Sequence, residues 1–255
     1  MDETTQPSLG SIAYCGPPPA PAGLWADWNL DPILLAAMAL CALAYFGRAA
    51  PTLGQKAAFT GGMAVLVVAF VSPLCALSTS LLSARIAHHM LMVAVAAPLL
   101  ALALPRKLPG GWLTGAGLAH MVILWVWHAP LVYAWALEGV ASYWLMELSL
   151  LASAMVFWSA VWARKTEPPA VIVALILTMA QMGLLAALIT FAQAPLYEPH
   201  LLTTTAWGLS PLEDQQLAGL IMWAPGALPY FCAVLWLAAR WLQGLEKDEA
   251  PAWPG

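Results

Sequence analysis

Seven apolar runs, each close to the length of a bilayer crossing, constrain this chain more than any other feature. They are Leu30–Phe46, Ala57–Leu77, Ile86–Leu104, Trp112–Leu137, Ser142–Trp162, Ala170–Gln193 and Gln216–Trp241. A spanning helix needs about 20 apolar residues, and only the first run is short of that. No run shows the period-two alternation of a membrane barrel strand, so helices are the expected spanning structure. The 255 residues are 62% hydrophobic and 9% charged, where a soluble domain carries about 25% charged residues. The expected fold class is an all-α integral membrane protein with seven transmembrane helices.

The basic residues set the expected orientation. Arg48 and Lys56 fall between the first two runs, Arg106 and Lys107 after the third, Arg164 and Lys165 after the fifth, and Arg240 and Lys247 at the end of the seventh. In a seven-helix arrangement all of these share one side, and only Arg85 lies on the other. Basic residues mark the cytoplasmic side, which places the N-terminus outside and the C-terminus in the cytoplasm. The domain reading is a Pro- and Gly-rich outer tail over 1–29, a membrane domain over 30–241 and a cytoplasmic tail over 242–255. Met1–Gln6 is acidic where a secretory signal would be basic. Outer loops are expected over Ser78–Arg85, over Glu138–Ala141 and, the longest, over Ala194–Gln215.

Within this apolar frame the ionisable residues stand out, because such side chains are costly at membrane depth and mark functional sites by default. Arg85, His88, His89 and Met92 open the third run, His128 lies near the outer end of the fourth, Glu147 in the fifth, and Asp214, Gln215 and Met222 at the start of the seventh. At 1.5 Å per residue all of them fall at the outer leaflet. His120 sits about 12 Å deeper than His128 and reads as an interhelical hydrogen bond. Imidazole with thioether suits copper, and Cu(I) in particular. The metal candidates are therefore His88, His89, His128, Met92 and Met222. Asp214, Glu147, Gln215 and Arg85 are the supporting groups that would orient an imidazole or balance charge.

Plainer readings stand beside these. Histidines near a helix end also sit among headgroups, and methionine is a common packing residue. Successive helical residues point about 100° apart, so His88 and His89 need not serve one centre. His128 precedes Pro130 and the pair reads equally as a helix end or kink. Glu147 reads equally as a carboxyl bonding a neighbouring helix, and Asp214 as the N-cap of the seventh helix. Nine Lys and Arg scattered along the chain make no basic patch for nucleic acid. No Gly-rich phosphate loop, GxSxG or HExxH is present, so no catalytic reading has residues to rest on. The four cysteines form no CxxC pair. No internal repeat is visible, which weighs against an ion or metal permease built from duplicated halves.

Several segments resemble the CtaG family associated with assembly of caa3-type cytochrome c oxidase. They are Trp28-Asn-Leu-Asp31-Pro32, Ser72-Pro73-Leu74, His88-His89-Met90-Leu91-Met92 with Ala97-Pro98-Leu99-Leu100, and Trp127-His128-Ala129-Pro130 with Tyr133. The most specific is Asp214-Gln215-Gln216-Leu217-Ala218-Gly219-Leu220-Ile221-Met222-Trp223-Ala224-Pro225-Gly226. The resemblance implies a non-catalytic role in maturing a haem–copper oxidase in the bacterial plasma membrane, with copper delivery as the usual proposal. It implies oxidase subunits and a copper donor protein as partners, and His88, His89, His128, Asp214 and Met222 as the positions carried over. A structural chaperone or accessory subunit that holds no metal is the alternative. Family members tend to have more histidine around the Glu147 position and an acidic residue where this chain has Cys75. Cys75 is then either a soft ligand or the disulfide partner of Cys15, both lying in the oxidising compartment.

Overall fold

The computed structural model describes residues 14–47, 51–104, 111–163 and 167–248, and among them all regular structure is helical. Eleven α-helices follow one another: α1 Pro32–Phe46, α2 Leu53–Phe70, α3 Pro73–Ser80, α4 Leu82–Met90, α5 Ala97–Ala103, α6 Trp112–His128, α7 Pro130–Leu137, α8 Val140–Val161, α9 Pro168–Thr190, α10 Pro211–Trp223 and α11 Leu228–Asp248. π-helical turns over Leu91–Ala96 join α4 to α5 into one element, Leu82–Ala103. Five elements are long and apolar enough to cross a membrane: α2, Leu82–Ala103, α8, α9 and the kinked pair α10–α11 over Pro211–Gln243. The pair α6–α7, bent by 76°, makes a sixth, and α1 is a shorter apolar helix. The chain is thus a multi-pass membrane protein. Arg48, Arg106, Lys107, Arg164 and Lys165, on which the expected orientation rests, lie outside the described residues.

Local chemistry explains where the helices begin. Asp31 accepts from the Ile33 amide with Pro32 at the first helical position, and Ser72 does the same for Leu74 ahead of Pro73. Thr52 with Gln55 and Ser210 with Glu213 form capping boxes, each pair exchanging side-chain and backbone bonds.

Several sequence expectations change here. The second run breaks at Ser72–Pro73, and α3 carries the chain on to Ser80. The outer loop expected over Ser78–Arg85 is therefore helical on both sides of Leu81 and wholly buried. Because α4 starts at Leu82, His88 and His89 lie in its second turn rather than its first. The fourth run is two helices, since Pro130 pushes Ala129 to extended geometry (φ −68°, ψ 124°) and the chain turns there. The seventh run starts five residues early, at Pro211, and breaks at Ala224–Pro225. In the 1–29 tail, Leu24–Ala26 forms a single 3-10 turn where irregular chain was expected.

Leu82–Ala103 is the central element, 72% buried against 50% for α8 and 33% for α9. Its first half packs on α10 and α3, and its second half on α2 and α8. Pro98 explains the π-helical turns just before it. Its ring crowds the carbonyl four residues back and it donates no N–H, so the helix widens to accommodate both. A carbonyl of that stretch, Val93 O, accepts from Trp158 Nε1 at 3.1 Å. α10 approaches α9 closely: a Cβ on Gly219 would collide with Thr190 Oγ1 and lie 2.7 Å from Ala186 O. A glycine at that point lets two backbones meet, as small residues do in membrane interfaces.

A buried histidine–carboxylate cluster

α4 and α8 bring four ionisable side chains to one point in the polar end of the bundle. Glu147 Oε1 lies 3.3 Å from Arg85 Nη1 and 3.3 Å from His89 Nε2, and Glu147 Oε2 lies 3.8 Å from His88 Nδ1. Arg85, His88 and Glu147 are fully buried and His89 is 1% exposed. Residues 85, 88 and 89 share a face of α4 well enough for all three to reach one carboxylate. Both imidazoles thus reach one carboxylate, although successive helical residues need not face the same way. Donor atoms of His88, His89 and Glu147 lie within 4.8 Å of one another, a spacing a single metal ion can bridge.

The cluster has polar atoms to spare. Both nitrogens of His88, Nδ1 of His89, Oε2 of Glu147, and Nε and Nη2 of Arg85 are buried without a hydrogen-bond partner. Buried polar groups are normally satisfied, so such a concentration asks for a ligand or a function. Two imidazoles and a carboxylate are a donor set that fits copper or zinc. The surroundings hold the cluster in place. The Arg85 guanidinium lies 5.3 Å from the centroid of the Tyr143 ring, and the Phe70 ring meets the His88 ring edge-on at 4.8 Å.

His128 stands next to this group, its ring 5.8 Å from that of His89. Its Nδ1 donates to Leu124 O at 2.6 Å, which leaves Nε2 as the lone-pair nitrogen, and that atom has no partner. Such a bond fixes the tautomer of a ligating imidazole. Met92 and Met222 are wholly buried. Glu147, read from sequence as a supporting group, is the centre on which Arg85, His88 and His89 converge. The only signal for it was its position as a carboxylate deep in an apolar run.

Asp214 and Gln215 belong elsewhere. Ser210, not Asp214, caps α10. Asp214 instead accepts from the Leu82 amide (2.7 Å), the Ser83 amide (3.2 Å) and the Ser83 hydroxyl (2.5 Å), capping α4 from a neighbouring helix. α4 has no side-chain cap of its own, so the carboxylate satisfies its first amides and favours its positive end. Gln215 accepts from Leu196 N and donates to Ile189 O, tying down the long loop after α9. In that loop Tyr197 donates to His128 O at 2.8 Å, and His200 Nε2 lies 2.7 Å from the Tyr133 hydroxyl. Burial, with Arg85 nearby, pushes the His200 pKa down to about 3. Cys15 and Cys75 form a disulfide, the second of the alternatives for Cys75. His120 is bonded across helices through Nδ1 to Ser153 Oγ at 3.0 Å.

Residues 34–244 match the family model of the cytochrome c oxidase caa3 assembly factor, Caa3_CtaG. The chain belongs to that family. No curated protein and no solved structure matches it significantly. The matched residues of this assembly factor include Arg85, His88, His89, His128, Glu147 and Asp214, whereas Cys15 and the rest of the N-terminal segment up to Ile33 precede them.

Proposed function

We propose that this assembly factor holds a copper ion on His88, His89 and Glu147, with His128 Nε2 as the neighbouring fourth donor, for insertion into a haem–copper oxidase. The observation that carries this reading is the convergence of three metal-type donors within 4.8 Å in a buried site whose nitrogens lack other partners. Copper supplies there a positive charge that the orphaned donors would stabilise. Arg85 sets the orientation of the Glu147 carboxylate, and Leu124 O fixes the tautomer of His128. With a carboxylate in the group, the donor set suits Cu(II) as well as the Cu(I) expected from His and Met. The role is delivery without catalytic turnover, with oxidase subunits as receivers and a copper donor protein as source.

The same reading counts α1 and the α6–α7 pair as spans, giving seven, with the N-terminus outside and the C-terminus in the cytoplasm. Eight of the nine basic residues on one side support that orientation. It sets the cluster at the outer face of the bacterial plasma membrane, where copper is loaded into the oxidase from outside. Reporter fusions at Asp2 and Lys247 test it: opposite compartments are expected, and the same compartment would overturn the seven-span arrangement.

One observation favours a second reading. The Arg85–Glu147 ion pair already gives the carboxylate a counter-charge, so the cluster also stands as a metal-free network in a structural chaperone. Added copper separates the two. If copper partly restores oxidase activity to a cell carrying a weakened site, by mass action on the bound fraction, the metal reading holds. A metal-free network would not respond.

A further inference from the structure

Residues 14–31 lie across the polar end of the bundle, stacked on the side chains that hold the cluster. The Tyr14 ring stacks on Tyr143 at 4.9 Å and meets Trp144 edge-on at 4.9 Å. Tyr143 in turn lies against the Arg85 guanidinium, which is paired with Glu147. A second line of rings runs from Trp144 to Phe70 at 5.4 Å and from Phe70 to His88 at 4.8 Å. The segment is fastened by hydrogen bonds from Tyr14 to Asp31 (2.5 Å), from Asn29 Nδ2 to Phe70 O (3.0 Å) and from Ser80 to Pro19 O (3.2 Å). The covalent fastening is the Cys15–Cys75 disulfide, and Cys15 Sγ also lies 3.5 Å from the Tyr143 hydroxyl.

The other approach to Glu147 is a groove of about 370 Å³ between α1, α2 and α8, walled by Leu34, Met38, Met63, Phe70 and Trp144. An ion crossing that groove would shed its water among hydrocarbon side chains, at prohibitive cost. The N-terminal segment, by contrast, lies over the cluster through Tyr14, Tyr143 and Arg85, with polar fastenings along its length.

We propose that this segment is a strap closing the site, that the Cys15–Cys75 disulfide is its lock, and that a dithiol reductant opens it. The proposal rests on the reading of His88, His89 and Glu147 as a metal site and adds its regulation. A thiolate of the reductant attacks Sγ of Cys15, the less buried of the two residues at 9% exposure against 0% for Cys75. The S–S bond breaks and Cys75 leaves as a thiolate that takes up a proton. The second thiol of the reductant then attacks the mixed disulfide, releasing Cys15 as a thiol and leaving the reductant as its own disulfide. Two electrons and two protons pass to the protein. The hydrogen bonds that remain are reversible, so the strap lifts off Tyr143 and closes again on reoxidation.

Acylation of imidazoles by diethyl pyrocarbonate, read by mass spectrometry on the purified full chain, tests this without metal. Three samples are compared: oxidised protein, protein reduced with dithiothreitol and desalted, and the Cys15→Ser/Cys75→Ser variant. Acylation of His88 and His89 should speed up at least tenfold in the second and third, while His120, held deeper by Ser153, stays at its oxidised-state rate. No acceleration at His88 and His89, or an equal acceleration at His120 that signals general loosening, would overturn the strap. Copper-loaded protein adds a second readout, in which a chelator should extract the ion faster after reduction. If neither the oxidised nor the reduced chain binds copper, the proposed function fails while the acylation result still decides the strap.

Discussion

The central element Leu82–Ala103 is built in two ways along its length. From Ser83 to His89 it buries Ser83, Arg85, His88 and His89, and from Ala94 to Ala103 it buries mainly alanines against α2 and α8. In the alanine half the helix carries no polar side chain, and at its end Tyr45 donates to Ala103 O. In the polar half three side chains lean on one carboxylate and still leave buried nitrogens without partners. Close packing alone accounts for the first half. It does not account for the second, since desolvated charges and unpaired donors cost free energy that a well-packed apolar end would not. His120 sharpens the contrast: it is buried too and its Nε2 also lacks a partner, but its Nδ1 is bonded to the Ser153 hydroxyl on another helix rather than to a carboxylate shared with other ionisable groups. The difference separates a histidine that fastens helices from histidines kept for a ligand.

The largest effect should come from Glu147→Ala. It strands the Arg85 guanidinium and removes the anchor of both imidazoles, and breaking a buried pair from one side costs roughly 3–5 kcal/mol. Membrane levels should fall and copper binding should vanish. Glu147→Gln keeps the shape, so protein that accumulates normally yet has no copper would place the loss in the site rather than in folding. Undiminished copper binding in either variant would break the contrast between the two halves.

Next come His88→Ala and His89→Ala. Alanine keeps helix propensity, so protein levels should hold while cellular oxidase activity falls under copper limitation. His120→Ala should leave oxidase activity unchanged and cost only about 1 kcal/mol of stability. Equal losses of activity at His88 and His120 would erase the distinction between ligand and fastener.

Asp214→Ala probes the polar half without touching the cluster. It leaves the Leu82 and Ser83 amides without their acceptor, a loss of roughly 1–3 kcal/mol read by thermal unfolding. Copper stoichiometry should be retained. If copper were lost with stability intact, Asp214 would belong to the site and not to the cap of α4.

The smallest effect is at the strap. The Tyr14 hydroxyl and the Ile33 amide hold the Asp31 carboxyl below its ordinary value of 3.8. A lowered folded value contributes stability that is complete above about pH 3.8 and lost as pH falls through it. Amide exchange over residues 14–16 should therefore rise below that pH, and Asp31→Asn should show no such step. Tyr14 itself is pushed up to about 12, by burial first and then by Asp31. Asp31→Asn should bring it part of the way back toward 10, measured by ultraviolet titration against Tyr14→Phe.

The apolar runs made the helical membrane fold legible, because hydropathy reports directly on what each stretch can be buried in. The breaks were less so. Ser72–Pro73 and Pro130 sit inside apolar stretches, and hydropathy does not register the geometry that proline imposes. The histidines and Arg85 stood out by their cost in such an environment. Their convergence on Glu147 did not, since it depends on how α8 packs against α4. Asp214 shows the same limit. Its place at a helix start suggested its own cap, and only the docking of α10 on α4 reveals the helix it serves.

Copper bound per chain is the most direct test of the central claim. Purified protein should hold about one copper per chain, the His88→Ala/His89→Ala variant none, and His120→Ala the same as the wild type. Wild-type protein free of copper after loading in the reduced state, or a double variant that keeps it, would contradict the metal site and leave the cluster as a structural network.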